Sequence, residues 1–463
     1  MTIPPSPRPS PSGTRANGAP DVGSPRDPYA QEYGELAAAV GALALVAAAA
    51  VVGAVLRDRG EPLYAGAAPL FGHWLPHVGP GTPFAVALAI AVVARGPELA
   101  ARLSWPRLLA AGYATAVAWT FALGMVDGWQ RGLAGRLATD DEYLHEVPGV
   151  SDIGAMVRGF ADRIVDFRPD SWTVHVAGHP PGALLTFVGL DRVGLGGGGA
   201  AAVVCVLVGA SVAVSVPVTL HALGAVRQAR AVVPFLALFP GAVWVGVSAD
   251  GLFAGVAAAG IALLAIGAAG RRDLAAAGRR DLAAVGGGVL LGWGGYLSYG
   301  LILMALPALA VVLVARRWRP LLLAVAGAAL VAAAFTAAGF WWLDGYHLVV
   351  ERYYQGIADD RPYDYWVWAN LAALVVVVGP AAVAGLTRLR RSPSAVSYLV
   401  LAALLAVLLA DLSGLSKAET ERIWLPFAVW LVAGAAALAR PRRWLAAGAV
   451  VALLVNHLVL TGW

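Results

Sequence analysis

Three acidic residues in a row, Asp140-Asp141-Glu142, precede Tyr143. Adjacent carboxylates repel one another, so all three stay ionised only beside water, a cation or a substrate proton. Such a cluster can act as a general base. It can also hold a divalent metal ion, with Asp140, Asp141 and Glu142 as ligands. A solvated acidic turn is the plainer reading. Asp127, nearer the end of an apolar run, is a rival base or an ordinary interfacial acid.

Three later segments carry further polar chemistry. His175-Val176-Ala177-Gly178-His179-Pro180-Pro181-Gly182 removes two backbone donors and fixes the entry of a helix. His179 then sits just before a helix N-terminus, where an anion is stabilised. Asp250 stands between two apolar runs. At mid-membrane it would cost about 2.5–3.5 kcal/mol, whereas at a hairpin it can cap the next helix. The stretch from Trp341 to Trp366 mixes aromatics with Asp344, Arg352, Arg361, Tyr363 and Asp364. An interfacial aromatic belt accounts for the rings, but not for the charges, which suit a sugar and a phosphate. Ser416-Lys417-Ala418-Glu419-Thr420-Glu421-Arg422 interrupts otherwise apolar sequence. Lys417 and Arg422 can hold a phosphate, or the turn can simply pair Arg422 with Glu419 or Glu421.

The elements that position these groups are set by composition. Of 463 residues, 59% are hydrophobic and 13% charged, with a mean hydropathy of +0.71. A soluble domain carries about 25% charged residues. The chain is too apolar to build a polar skin, so lipid must be its solvent. Gly alone numbers 55, and small residues let membrane helices approach closely. The expected fold is an all-α integral membrane protein.

A span takes about 20 apolar residues. Apolar runs fall at 35–56, 82–98, 107–125, 198–222, 228–247, 251–269, 283–297, 300–315, 319–341, 366–387, 396–412, 423–439 and 444–461, thirteen in all. Short cytoplasmic loops collect Lys and Arg. With the N-terminus inside, the even junctions hold Arg95/Arg102/Arg107, Arg227/Arg230, Arg271/Arg272/Arg279/Arg280, Arg316/Arg317/Arg319, Arg388/Arg390/Arg391 and Arg440/Arg442/Arg443. No short outer junction carries such a cluster. The expectation is a multi-pass plasma-membrane protein with a cytoplasmic N-terminus and about thirteen spans. Every polar segment above then faces the extracytoplasmic side.

Residues 1–33, rich in Pro, Ser and Gly, read as a disordered cytoplasmic tail ahead of a polytopic domain, 34–463. Three outer loops are expected, 57–81, 126–197 and 342–365, the second being the largest. Within 126–197, Ile153, Met156, Val157, Phe160, Ile164 and Phe167 predict an amphipathic helix lying on the membrane. Gly182–Leu190 is too short to span and reads as re-entrant. Arg271–Ala276 is repeated at Arg279–Ala284, with no function attached. Cys205 is the single cysteine, so no internal disulfide can form.

Taken in order, these motifs resemble the GT-C membrane glycosyltransferases, and most closely the protein O-mannosyltransferase and aminoarabinose-transferase-like branch. The carriers are Asp141-Glu142 in the first large outer loop and His179-Pro180-Pro181-Gly182 opening a helix. An Arg-rich turn leading through Pro240 to Asp250 comes next, and then Lys417 to Trp424. The order matches from about residue 107 to 425. The sequence departs from the pattern in two extra early spans, a longer gap from Asp141 to His179, and Gly182 in place of the usual Leu. The resemblance implies transfer of a sugar from a polyprenyl-phosphate donor to an acceptor hydroxyl, with inversion. Asp141 would be the base, with Glu142, His179 and Asp250 positioning the substrates. Arg422, Lys417 and Arg361 would receive the charge of the leaving phosphate.

Other classes compete. A transporter or flippase would place ionisable groups near mid-membrane within repeated halves. A glycan polymerase or ligase would place its large loop later. A non-catalytic membrane scaffold needs none of these groups. The scattered basic residues make no patch for nucleic acid. The expected partners are the bilayer, a polyprenyl-phosphate sugar and an acceptor of unspecified type.

Overall fold

The computed structural model describes residues 1–2, 28–270, 277–389 and 394–462. Most of the expected tail, and Arg271, Arg272, Arg390 and Arg391, lie outside these residues. The first helix, α1, is Pro28–Asp58.

Among the described residues the protein is helical apart from one small antiparallel ribbon and short connections. In lipid, a backbone must satisfy its own polar groups, and a helix does so within one segment. A short strand, β1 (Gly72–Trp74), follows α1. Then come α2 (Thr82–Arg102) and α3 (Trp105–Gly124). Prolines at 83 and 106 open both, where the missing N–H costs nothing.

The 126–197 segment is built of short helices: α4 (Tyr143–Glu146), α5 (Ile153–Arg158), α6 (Val174–Ala177) and α7 (Pro181–Arg192). The long amphipathic helix expected over 153–167 is not formed. Asp152 caps α5 by accepting from the Ala155 N–H at 2.9 Å. The helix then stops at Gly159, a weak helix former. Met156, Val157, Phe160 and Ile164 are buried in the protein core, not laid on a membrane surface.

The remaining helices are α8 (Gly198–Ala210), α9 (Val212–Ala222), α10 (Val226–Ala237), α11 (Ala242–Val245) and α12 (Ala249–Ala268). They continue as α13 (Ala277–Leu297), α14 (Ala305–Ala315), α15 (Arg319–Ala337), α16 (Trp342–Tyr354), α17 (Tyr363–Leu389) and α18 (Ala395–Leu412). The chain ends with α19 (Thr420–Ile423), α20 (Leu425–Leu431), α21 (Pro441–Leu458) and strand β2 (Val459–Thr461).

Among the described residues, seven helices are long and apolar enough to cross a membrane. They are Gln31–Asp58, Thr82–Arg102, Gly198–Ala222, Ala249–Ala268, Arg319–Ala337, Tyr363–Leu389 and Ala395–Leu412. The thirteen apolar runs fall largely on helix, but several are interrupted: 198–222 divides into α8 and α9 at Ser211, and 444–461 ends in β2. The 228–247 run breaks between α10 and α11 at Pro240-Gly241. The 300–315 run opens with a 3-10 turn, Tyr299–Met304. The 423–439 run is α20 followed by 3-10 helix. Within α17, Gly379 adopts φ 74°, which glycine permits, just before Pro380.

Arginines gather at one end of the bundle. Arg388 binds Glu35 and Gln31 of α1. Arg440 and Arg443 each reach Glu32 at 3.0 Å, and Arg442 pairs with Glu98. Arg230 donates to the Ala100 carbonyl at 2.8 Å. Arg319 pairs with Asp281 at 2.6 Å. The loops opposite this end are pinned by the ribbon, which pairs Gly72 with Thr461 and Trp74 with Val459. One core runs through α3, α8–α12, α17, α18 and α20. A smaller one joins Ala49, Leu63, Tyr365 and Trp366 beneath the 57–81 segment. Leu322, Val325 and Leu330 on α15 point outward, as lipid-facing residues do.

Candidate active site

Charged and polar groups from distant segments meet at the first turn of α12. Asp250 lies in that turn, buried. Its Oδ2 accepts from Arg422 Nη1 at 2.7 Å. The other side of the same guanidinium donates to Glu419 Oε2 at 2.9 Å. Burial opposes the charge on Arg422, but Asp250, Glu419 and Glu142 outweigh it and hold the guanidinium above its ordinary pKa.

Glu142 faces this pair from the 126–197 segment. It is 5% exposed, and its Oε1 lies 3.6 Å from His175 Nε2. Its Oε2 is buried without a hydrogen-bond partner. Burial pushes the carboxyl up to about 7; Asp250 and Asp141 add to the shift and Arg422 opposes it. Burial also lowers His175 well below the usual histidine value, with Arg422 and His179 adding to this.

His179 closes the cluster. Its Nδ1 lies 2.8 Å from the His175 carbonyl and 2.9 Å from the Tyr143 hydroxyl. A carbonyl only accepts, so Nδ1 carries the proton and Nε2 presents its lone pair. Burial lowers the pKa of His179 as well, against the pull of Asp250. The neutral ring sits between Tyr143 and Phe253, at 5.7 and 5.6 Å.

The helix after His179 packs unusually close. A side chain at Gly182 would place its Cβ 2.5 Å from the Tyr296 carbonyl of α13. Only glycine fits there, which accounts for its presence where the resemblance expects Leu.

A second layer holds the first. Glu419 Oε1 accepts from both Nη1 and Nη2 of Arg361 at 3.1 Å, so one carboxylate spans two arginines. Arg361 also donates to the Lys417 carbonyl at 2.8 Å. Ala418 and Glu419 both adopt positive φ, 70° and 63°, a strained pair for residues with side chains. Lys417 is nearly buried and has no carboxylate within ion-pair distance among the described residues; its ammonium lies 5.5 Å from the Tyr354 ring. Glu421 is fully buried. Its Oε1 accepts the Phe71 N–H at 2.8 Å, and burial pushes its carboxyl up to about 7.

Glu142, His179, Asp250 and Arg422 therefore come together, with Arg361 and Lys417 in the adjoining turn. Asp141 lies beside Glu142 but is exposed; its carbonyl accepts the His175 N–H at 3.1 Å. Asp140 is also exposed and lies 3.7 Å from His145. The three acids diverge and form no chelate, and no cage of three such groups exists among the described residues. Asp127 belongs to another group, bound by Arg131 at 2.8 Å and His77 at 3.2 Å. Tyr363 is exposed and makes only a long bond to the Leu412 carbonyl. His175 and Tyr143 stood within these motifs without a role of their own, although the spacing of His175 and His179, one helical turn, was a usable signal. Of the two partners expected for Arg422 in a salt-bridged turn, Glu419 is the one that pairs with it. For the contact of Glu421 with Phe71 there was no signal.

Comparison with protein-family models, curated proteins and solved structures returns no match.

Proposed function

We propose that this chain is a membrane glycosyltransferase of the GT-C kind, taking a sugar from a polyprenyl-phosphate donor at the extracytoplasmic face. The observation that carries the reading is the convergence of Glu142, His175, His179 and Asp250 on the buried Arg422. A glycosyl transfer needs a base near neutral pKa and fixed positive charge where the phosphate leaves. Burial gives Glu142 the first property, and Arg422 with Lys417 supplies the second.

In the step, the acceptor oxygen forms a bond to the anomeric carbon. The bond from that carbon to the lipid phosphate oxygen breaks, and its electron pair leaves with the phosphate. The acceptor proton passes to Glu142. The resemblance assigns the base to Asp141; we assign it to Glu142, because the exposed Asp141 gains nothing from the site's low dielectric. Asp141 then meets the acceptor at the lip.

Thirteen spans with the arginine end cytoplasmic and α7 re-entrant belong to the same proposal. Its support is that arginines from alternate junctions share one end of the bundle. A transporter would show solute flux without chemistry, and a scaffold neither. The deciding experiment incubates purified protein with labelled polyprenyl-phosphate sugars and follows both transfer and hydrolysis. Turnover by wild type and its loss in Glu142→Gln support the reading. Flux into sealed vesicles with no turnover of any lipid-linked sugar overturns it.

A further inference from the structure

A cavity of about 560 Å³ opens among the loops that face away from the arginine end. Arg57, Glu61, Tyr64, Phe71 and His73 line it from the 57–81 segment, and Ile357 from the 342–365 segment. Its volume falls in the range of small-ligand sites, about 300–1,000 Å³.

The cavity is held open by construction. Tyr64 donates to Asp360 Oδ2 at 3.0 Å, tying the two segments across it. The Arg57 guanidinium donates to the Gly66 carbonyl. A side chain at Gly66 would lie 2.5 Å from His73 Nδ1, so this glycine lets the imidazole seat against the backbone. Phe71 is fixed from both sides: its carbonyl accepts the Gly462 N–H at 3.0 Å, and its N–H donates to Glu421 at 2.8 Å.

The lining selects by chemistry. It offers one guanidinium, one carboxylate and one imidazole beside two aromatic rings. Glu61 has no ion-pair partner among the described residues, so an anion would meet an uncompensated carboxylate. A lipid tail would bury the Glu61 carboxylate and the His73 imidazole, and leave most of the Arg57 donors unmet, which is costly. A neutral sugar uses the whole set, since its hydroxyls both donate and accept and its C–H face stacks on Tyr64 or Phe71. The cavity reaches toward the proposed active site through its Phe71 wall. The Arg361 guanidinium lies 5.8 Å from the Phe71 ring, and Arg361 holds Glu419, which holds Arg422.

We propose that this cavity binds the acceptor, and that the acceptor is a neutral glycan; this rests on the transferase reading. The test introduces a cysteine at the wall, Ile357→Cys, in the full-length protein. The native Cys205 is buried and gives little background. Maleimide modification is timed with and without neutral manno- and arabino-oligosaccharides. Trp74→Cys, exposed outside the cavity, is the control. Protection follows 1 + [L]/Kd, so modification of Ile357→Cys should slow about tenfold at ten times the apparent Kd, with the control unchanged. Equal rates with every oligosaccharide overturn the proposal. So does protection by phospholipid or short-chain detergent alone, which would mark a lipid site. Protection requires no turnover, so the two readings fail separately. Donor hydrolysis without protection removes the cavity assignment only; protection without hydrolysis or transfer keeps a glycan site and removes the transferase.

Discussion

Arg422 donates to Asp250 at 2.7 Å across 172 positions of sequence. Both side chains are more than nine-tenths buried. Removing one partner of such a pair strands the other in a low dielectric. The expected cost of Arg422→Met is about 3–5 kcal/mol, because Asp250 loses its cation while Glu419 keeps only Arg361. Asp250→Asn should cost less, since Glu419 still holds Arg422. The double variant should be more stable than Arg422→Met alone. Thermal unfolding in one detergent gives the order, and a double variant no better than the single one would show that the pair is not coupled.

Activity should separate the three acids. Glu142→Gln removes the proposed base and should lower transfer about 10²–10⁴-fold. Asp141→Asn should lose less, because its carboxylate stays in water. Asp127→Asn should behave as wild type, since its partners are Arg131 and His77, away from the cluster. Initial rates on one labelled donor decide, and a larger loss in Asp141→Asn than in Glu142→Gln moves the base to Asp141.

Burial lowers His175 and His179, whose neutral rings give a contribution that is lost as pH falls below the ordinary 6.5; it also raises two carboxyls from the ordinary 4.5 to about 7, Glu142 and Glu421. Burial is the first cause in both carboxyls. The folded chain holds the carboxyl protons more tightly than the unfolded chain does. Their stabilising contribution is therefore complete below about 4.5 and is lost as pH rises through 7. Activity runs the other way, because a base must be ionised, so transfer should rise through a midpoint of about 7. Apparent unfolding temperature and rate, each measured against pH, test both slopes. Glu421→Gln should flatten part of the stability slope while leaving the activity midpoint in place.

The arginine end gives a test of orientation. Trp318→Cys, exposed near Arg317 and Arg319, should react with an impermeant maleimide only from the cytoplasmic side of oriented vesicles. Ser413→Cys, exposed after α18, should react only from the other side. Both reacting from one side would break the alternation.

Local composition made the lipid solvent and the apolar runs legible, because each run carries its own signal within about 20 residues. The breaks inside runs were harder to read. Pro240-Gly241 interrupts the 228–247 run; the dipeptide is a turn signal in sequence, but a run-length reading of hydropathy passes over it. The acids and histidines were visible as residue types in order. Their grouping was not, since Asp250 meets Arg422, and Glu421 meets Phe71 350 positions away, through tertiary contacts that leave no local spacing. The adjacent Asp141 and Glu142 look alike in sequence, and only the turn of the chain exposes one and buries the other.

The turn that carries Glu419 offers the last prediction. Ala418 and Glu419 both sit in left-handed backbone, where a Cβ is disfavoured. Ala418 contributes no polar side-chain contact, so Ala418→Gly should relieve strain and raise stability by about 0.5–1 kcal/mol, less the entropy glycine loses on folding. Glu419→Gly relieves the same strain but removes the carboxylate shared by Arg361 and Arg422. Two buried guanidinium groups then lose a counter-ion, and the net effect should be destabilising by a few kcal/mol, on the order of 3. The opposite signs at neighbouring positions are the useful feature. If both variants are stabilising in thermal unfolding, the shared carboxylate does not hold the arginines. If Glu419→Gly alone is destabilising and also lowers transfer, the strained turn serves to place Arg422 against Asp250.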